Sequence, residues 1–165
     1  MRGFSDRLLG AAHLANEEFD EAIRWAEDYR KDQPECSKGI ELLCFAYFLA
    51  ERWQNVASLC EEAYPDQEVS KGFVAEMASY SYCRLGKYDR SRWWCNQSLA
   101  LDSDNPETYY LLAAIEYLSG NLKGYHEALG KVLDMDPDAA TKIPRFIESM
   151  EKAAGGGESA TDDSE

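Results

Sequence analysis

The chain repeats itself at a nearly constant interval. Phe19, Trp53, Tyr88 and Leu122 each stand at the same point of a similar segment, and 34, 35 and 34 residues separate them. A period of this length is typical of helical hairpins that stack side by side, because each hairpin buries its apolar face only against its neighbours. The spacing therefore predicts an all-α fold, an α-solenoid of stacked antiparallel helix pairs.

Residues that end and begin helices stand where this interpretation needs them. Gly86 and Gly120 occupy matching places between paired helices, where a left-handed residue closes one helix before the next begins. Asp104 and Asn105 precede Pro106, which is a cap followed by a first-turn proline, so a helix is predicted to start near Pro106. No useful length of the chain alternates with period two, and strands are therefore not predicted.

The aligned segments resemble the tetratricopeptide repeat (TPR), in which a small residue of the first helix precedes an aromatic residue by three positions. The small and aromatic positions are occupied here by Gly10 and His13, Cys44 and Tyr47, Ser79 and Tyr82, and Ala113 and Glu116. Glu116 departs from the pattern. The resemblance covers roughly Gly3 to Pro137, and it implies about four divergent repeats in a right-handed solenoid.

One more amphipathic segment follows the repeats. Ile143, Phe146, Ile147 and Met150 have helical spacing, and Pro144 is expected in the first turn, where a missing N–H does no harm. A solenoid needs a cover with a polar outer face at its open end, so a capping helix is predicted at about 141–152. Residues 1–152 are thus predicted to form the TPR-like domain. Residues 153–165 are predicted to be a disordered acidic tail, either a solvated end or an acidic arm.

Composition excludes several classes of partner. The chain has 31 acidic and 17 basic residues and a formal charge of −14, and phosphate backbones are held mainly by Lys and Arg, so nucleic acid is not an expected partner. No run reaches the roughly 18 apolar residues of a membrane span, and no secretory signal is recognisable, so membrane insertion is not expected. The five cysteines are odd in number and mostly fall at inward helical positions, which predicts reduced thiols and a cytoplasmic location.

No catalytic or metal-binding motif is recognisable. The chain lacks CxxC, HExxH, GxxxxGK[ST] and GxSxG patterns, and its two histidines, His13 and His126, lie in different repeats. Cys36 is the one cysteine expected in an exposed loop, but only Lys38 lies near enough in sequence to lower its pKa. The sequence therefore predicts a protein that is not an enzyme and that uses no cofactor and no metal.

In the TPR family the first helices line a concave groove that holds a peptide, and the resemblance carries this role to the matching positions. These are Phe4, Arg7, Ala11, Leu14, Lys38, Glu41, Phe45, Phe48, Phe73, Glu76, Tyr80, Cys83, Glu107, Tyr110, Ala114 and Tyr117. The residues predicted to bind the peptide are Phe4, Arg7, Glu41, Phe45, Phe48, Phe73, Glu76, Tyr80, Tyr110 and Tyr117. The alternative is that several of these aromatic side chains pack within their repeats.

The chemistry of these positions leads to a functional hypothesis. Aromatic anchors surrounded by acids favour an apolar and basic peptide, or an amphipathic helix, as the bound partner. The chain is therefore predicted to be a non-catalytic protein-protein interaction module, acting as an adaptor or chaperone. The alternative is a self-associating structural scaffold in a larger assembly, a homo-oligomer whose contact faces would include Trp53, Trp93 and Trp94.

Overall fold

The computed structural model describes residues 18–34, 36–65 and 71–155, and all regular structure in these ranges is helical. The helices are α1 (Phe19–Asp32), α2 (Ser37–Leu49), α3 (Trp53–Ala63), α4 (Lys71–Arg84), α5 (Tyr88–Leu101), α6 (Pro106–Leu118), α7 (Leu122–Met135) and α8 (Ala139–Gly155). The repeat signature marks helix starts, because α1, α3, α5 and α7 begin at Phe19, Trp53, Tyr88 and Leu122.

Three turns between paired helices share one backbone conformation. The φ angles of Gly86 and Gly120 are 69° and 78°, which confirms the predicted left-handed closures. Glu51 occupies the same place between α2 and α3 with a φ of 55° and is a non-glycine residue in that conformation. In each turn, the N–H of the following residue donates to a carbonyl five residues back, as in the Arg52 to Tyr47 bond of 2.9 Å. This is the closure expected of a Schellman-type helix end.

The start of α6 is capped as predicted. The Asn105 side chain accepts a hydrogen bond of 3.2 Å from the backbone N–H of Thr108, and Pro106 occupies the first turn, where no N–H is needed. The helix therefore begins at the residue that the sequence indicated.

The chain divides into two compact units, residues 1–81 and 82–165, and the boundary falls within α4. In the first unit, α2 packs against both α1 and α3. The contact layer is built from small side chains that are almost completely buried, which lets the helix backbones approach closely. They include Ala22, Ala26, Cys44, Ala46, Val56, Ala57 and Cys60.

In the second unit, α6 is the central helix and packs against α5, α7 and α8. Its core cluster joins Ala113 and Ala114 of α6 to Val132 of α7 and to Ile143 and Ile147 of α8. Ile143, Ile147 and Met150 of the apolar stripe that predicted a capping helix are thus buried, and Phe146 is half-buried. The helix itself runs from Ala139 to Gly155 and is longer than the predicted 141–152. Because α8 starts earlier than expected, Pro144 lies inside the helix, and the prediction of a first-turn proline was wrong.

Burial of four cysteines agrees with the sequence, whereas Cys36, which was expected to be exposed, is half-buried. Cys44, Cys60, Cys83 and Cys95 are buried, Cys36 is half-buried, and all five are free thiols. Burial raises the pKa of Cys83 to about 12, so its thiol stays protonated at neutral pH. No helix in the described part of the chain has the length and apolar character needed to cross a membrane. Of the predicted acidic tail, residues 156–165 lie outside the described residues.

Candidate functional site

The first unit carries a shallow apolar depression on the face of α2. Among the described residues, four side chains of α2 and one of α4 line it, and its volume is about 300 Å³. The lining residues are Lys38, Glu41, Leu42, Phe45 and Phe73. Spacings of three and four residues place the α2 members on one helical face. The structure therefore brings together four of the predicted groove positions and adds Leu42, which the groove assignment missed. Leu42 lies three residues before Phe45, and this apolar spacing was the available signal.

The depression combines an exposed aromatic ring with a carboxylate. Phe45 keeps 41% of its surface exposed, although it is a large apolar side chain. The Nζ atom of Lys38 lies 2.7 Å from Oε2 of Glu41, and the lysine side chain is 60% exposed whereas the glutamate is 19% exposed. Glu41 thus lies close against the protein, and the lysine paired with it extends into solvent. An ion pair with a lysine this exposed is weak.

Phe48 and Tyr80, two other predicted anchors, contact each other. Their ring centroids are 5.0 Å apart, and the ring of Trp53 lies 5.3 Å from Phe48 and 5.5 Å from Tyr80. All three side chains are half-buried. Aromatic rings at such separations stabilise the folded unit, so these residues contribute to packing within the first unit. Their substitution would disturb folding as well as any partner contact.

The groove positions of the second unit have different surroundings. Tyr117 is 43% exposed and packs edge-on against Tyr125, with ring centroids 5.5 Å apart. The hydroxyl of Tyr110 donates a hydrogen bond of 2.6 Å to Oδ2 of Asp136. Burial and this carboxylate raise the pKa of Tyr110 to about 12. The assignment of Ala114 and Cys83 as groove residues was wrong, because both side chains are buried in the core.

Of the described groove positions, Glu76 and Glu107 are not among the residues that line the depression. Phe4 and Arg7 lie outside the described residues. Glu76 of α4 is half-buried, and Glu107 near the start of α6 is exposed.

A buried charge pair replaces the repeat aromatic in the second unit. The guanidinium of Arg92 on α5 donates two hydrogen bonds to the carboxylate of Glu116 on α6, at 2.6 and 3.0 Å. The amide of Asn121 donates a third, at 2.8 Å, and the Glu116 side chain is only 7% exposed. The carboxylate raises the pKa of Arg92. The departure from the TPR pattern at Glu116 is therefore a satisfied structural contact between two helices.

Trp94, expected as a self-association face, is fully buried, so that part of the scaffold hypothesis was wrong. Trp93 beside it is 38% exposed, and the Arg90 guanidinium lies 4.3 Å from its ring centroid. Within the described ranges, no group of three His, Cys, Asp or Glu side chains is arranged to hold a metal ion.

Solved structures with a similar fold include two that are described as TPR proteins. A thermophilic TPR protein from Thermus thermophilus has a TM-score of 0.66 and 19% identity, with 87% of this chain and 78% of that chain covered. A TPR protein from Parabacteroides merdae has a TM-score of 0.74 and 12% identity, with 91% and 60% covered. MamA, residues 41 to the end, from Desulfovibrio magneticus RS-1 has a TM-score of 0.73 and 13% identity, with 98% and 97% covered.

No protein-family model matches the chain, and no curated protein matches it either. The structural similarities, at identities below one fifth, concern the fold. They confirm the predicted TPR-like fold, an all-α solenoid of helix pairs.

Proposed function

We propose that the chain is a non-catalytic protein-protein interaction module that holds an apolar and basic peptide, or the apolar face of an amphipathic helix, against α2. The observation that carries the proposal is the depression around Phe45, where an exposed aromatic ring, Leu42 and Phe73 adjoin the carboxylate of Glu41. A TPR-like fold agrees with a protein partner. An adaptor or chaperone role in a reducing cytoplasm is part of the proposal, and the free cysteines support that compartment.

The size of the depression favours one anchoring side chain. Its volume of about 300 Å³ is at the lower end of the range for ligand clefts. A single bulky apolar side chain of the partner would therefore enter between Phe45 and Phe73. Aromatic residues often dominate binding energy at such positions, because their large surface is removed from water at low entropic cost.

The electrostatics favour a cationic neighbour for that anchor. Glu41 forms its ion pair with an exposed lysine, which a basic residue of the partner can displace at little cost. The formal charge of −14 would also speed the encounter with a basic segment and would disfavour nucleic acid. Binding is therefore expected to weaken with rising salt. Because Phe45 is uncharged, its substitution is expected to change the association rate less than the dissociation rate.

The test places a photo-reactive amino acid at position 45 and, as a matched control, at Leu101. Leu101 is an apolar helical residue with 54% exposure that lies in the second unit. The partner segment attached at position 45 but not at position 101 is identified by mass spectrometry and synthesised as a peptide. Its dissociation constant is then measured by fluorescence anisotropy for the unmodified chain, Phe45→Ala and Leu101→Ala.

We expect Phe45→Ala to weaken peptide binding about ten-fold or more and Leu101→Ala to leave it unchanged. Glu41→Gln should reduce the affinity less, and it should reduce the salt dependence as well. Equal affinities for the two alanine variants would contradict the proposal. Attachment at position 45 to a second copy of the chain alone would favour the self-associating scaffold instead.

A further inference from the structure

Two cysteines of the first unit contact each other across the α2–α3 hairpin. The Sγ atoms of Cys44 on α2 and Cys60 on α3 lie 3.7 Å apart, and both residues are 0% exposed. A disulfide S–S bond is about 2.05 Å long, so the two sulfur atoms have to approach by about 1.7 Å to be joined. Rotation about the Cα–Cβ bonds moves the sulfur atoms while the helix backbones stay in place. The two thiols are therefore placed to form a disulfide.

Burial protects this pair while the hairpin is closed. The hydrogen bond between the two thiols and the burial of Cys60 raise the pKa of the Cys60 thiol above its ordinary value. Cys60 is therefore protonated at neutral pH, whereas the thiolate is the form that attacks a disulfide. A dissolved oxidant reaches the sulfur atoms when the contact between α2 and α3 opens. The formation of the bond therefore depends on the opening of this hairpin.

The pair has a counterpart in the following repeat. A shift of 35 residues, the second of the three repeat intervals, leads from Cys44 to Ser79 and from Cys60 to Cys95. Ser79 and Cys95 are also 0% exposed. The following repeat thus has the same buried positions but only one thiol at them. It provides a matched control within the same chain.

We propose that Cys44 and Cys60 form a reversible disulfide that locks the α2–α3 hairpin, with a small disulfide such as oxidised glutathione as the oxidant. In the open hairpin, the thiolate of one cysteine attacks the oxidant, which forms a mixed disulfide and releases one glutathione thiolate. The thiolate of the other cysteine then attacks the cysteine sulfur of the mixed disulfide and releases the second glutathione thiolate. The two protons of the cysteine thiols pass to these two thiolates. The cysteines are thereby oxidised by two electrons, and the glutathione disulfide is reduced.

The bond restrains the part of the first unit that carries the depression. It closes a loop from residue 44 to residue 60, which contains the left-handed turn at Glu51. A closed loop of this kind restricts the unfolded chain and opposes opening of the hairpin. Phe45 directly follows Cys44 on α2, so the lock holds the helix that lines the depression. In a reducing compartment both thiols stay reduced, and the lock forms when the compartment becomes oxidising.

The first test maps the disulfides of the folded, full chain after exposure to oxidised glutathione. Remaining thiols are trapped with N-ethylmaleimide, and the tryptic peptides are identified by mass spectrometry. Trypsin cleaves after Arg52, so Cys44 and Cys60 lie on separate peptides, residues 39–52 and 53–71. We expect these two peptides to be joined, and the joined pair to be about ten-fold or more in excess over any other disulfide within the chain. Oxidation in concentrated urea gives the pairing expected without structure.

Urea unfolding measures the lock. We expect oxidation to raise the urea midpoint, dithiothreitol to restore it, and Cys60→Ala to abolish the difference between oxidised and reduced samples. Cys95→Ala is the matched control, because it removes the equally buried cysteine at the corresponding position of the following repeat. This variant should keep both the joined peptides and the midpoint shift. If Cys60→Ala does not fold, the joined peptides of the unmodified chain still decide the question.

Absence of the joined peptides after oxidation of the folded chain, or an abundance no greater than that of other pairs, would overturn the proposal. A mixture of isotope-labelled and unlabelled chains separates a bond within one chain from a bond between two copies. Joined peptides with one labelled and one unlabelled member would overturn the proposal as well. An unchanged urea midpoint in the joined chain would overturn the lock.

Discussion

The hairpin of α2 and α3 and the hairpin of α6 and α7 share one backbone pattern but stabilise it with different side chains. At the position of the repeat aromatic, the first hairpin has Tyr47, whose hydroxyl donates at 2.8 Å to Glu27 of α1. The second has Glu116, which is bound by Arg92 of α5. In both cases the first helix of the hairpin contacts the helix that precedes that hairpin in the chain. The position requires a contact between neighbouring repeats, and more than one kind of side chain can supply it.

The turns of the two hairpins differ in the same way. Glu51 adopts a left-handed conformation in the first hairpin, whereas Gly120 does so in the second. A side chain in this region costs roughly 1–2 kcal/mol relative to glycine. The first hairpin thus has a strained turn and a neutral hydrogen-bond donor, and the second has a relaxed turn and a buried charge pair.

Removal of the charge pair should have the largest effect on the free energy of unfolding. Arg92→Ala removes the guanidinium and leaves the carboxylate of Glu116 buried, with a hydrogen bond from the Asn121 amide. Loss of one member of a buried pair costs about 3–5 kcal/mol, and the 29% exposure of Arg92 places the expected loss near the lower end of that range, about 3 kcal/mol. Urea unfolding measures the change in the free energy of unfolding.

The control for this prediction is Arg24→Ala. Arg24 forms an exposed pair with Glu21, with side-chain exposures of 65% and 49%, and its loss should cost at most a few tenths of a kcal/mol. Similar costs for the two arginine variants would contradict a structural role for the Glu116 pair.

Two glycines of α7 should respond with opposite signs. A Cβ atom at Gly124 would lie 2.6 Å from Nδ2 of Asn121 and 2.9 Å from Cδ of Glu116, so Gly124→Ala should disturb the charge pair and destabilise by about 2 kcal/mol. No atom of the described part of the chain lies within 4 Å of a Cβ at Gly130, and Gly130→Ala should stabilise by about 0.5–1 kcal/mol through helix propensity. Urea unfolding of both variants checks the signs. Stabilisation by both substitutions would contradict the prediction for Gly124, because it would mean that the Asn121 and Glu116 side chains move aside at little cost.

Substitutions at the left-handed positions of the two turns should have opposite effects on stability. Glu51→Gly should stabilise the chain by about 1 kcal/mol, because it removes the left-handed strain, and Gly120→Ala should destabilise it by about 1 kcal/mol. No atom of the described residues lies within 4 Å of a Cβ at Gly120, so the cost there comes from the backbone. Thermal and urea unfolding of the two variants measure this reciprocity. A destabilised Glu51→Gly variant would mean that contacts of the Glu51 side chain outweigh the strain.

The Tyr47 hydrogen bond of the first hairpin should have the smallest effect. Tyr47→Phe should lower the free energy of unfolding by about 0.5–1 kcal/mol. The loss is small because Glu27 is half-buried, and its carboxylate can form a hydrogen bond to water in place of the lost hydroxyl. Burial and the Glu27 carboxylate raise the pKa of Tyr47 above its usual value of about 10. The contribution of Tyr47 to stability is therefore full below about pH 10 and is lost as the pH rises through the raised pKa.

Ultraviolet absorbance of tyrosinate during a pH titration, with and without Tyr47, measures this shift. A difference titration centred at or below pH 10 would contradict the described contact.

Much of the fold could be predicted because the determining signals are local. The period of about 34 residues, the glycines with positive φ at Gly86 and Gly120, and the cap at Asn105 act over a few residues or recur at fixed spacing. The start of α8 could not be predicted as well, since the apolar stripe begins at Ile143 whereas the helix starts at Ala139. The helix start depends on the turn at Asp136 and Asp138, whose backbone bonds the sequence does not show.

The candidate site was less predictable, for a different reason. Helical spacing placed Glu41 and Phe45 on one face, and the structure brings them to one depression. Spacing could not separate Phe45, which stays exposed, from Phe48, whose ring contacts Trp53 and Tyr80.

The sequence by itself determined the helical period, the start of α6 and the acidic charge, because these depend on residue order and composition. Only the tertiary structure decided that Glu116 is a paired core residue, that Ala114 and Cys83 are buried, and that Trp94 is core while Trp93 is exposed. Those outcomes depend on which helices meet and at what distance. When a helix is shifted by one residue against its neighbours, a buried side chain is exchanged for an exposed one. The repeat period of the sequence is the same before and after such a shift.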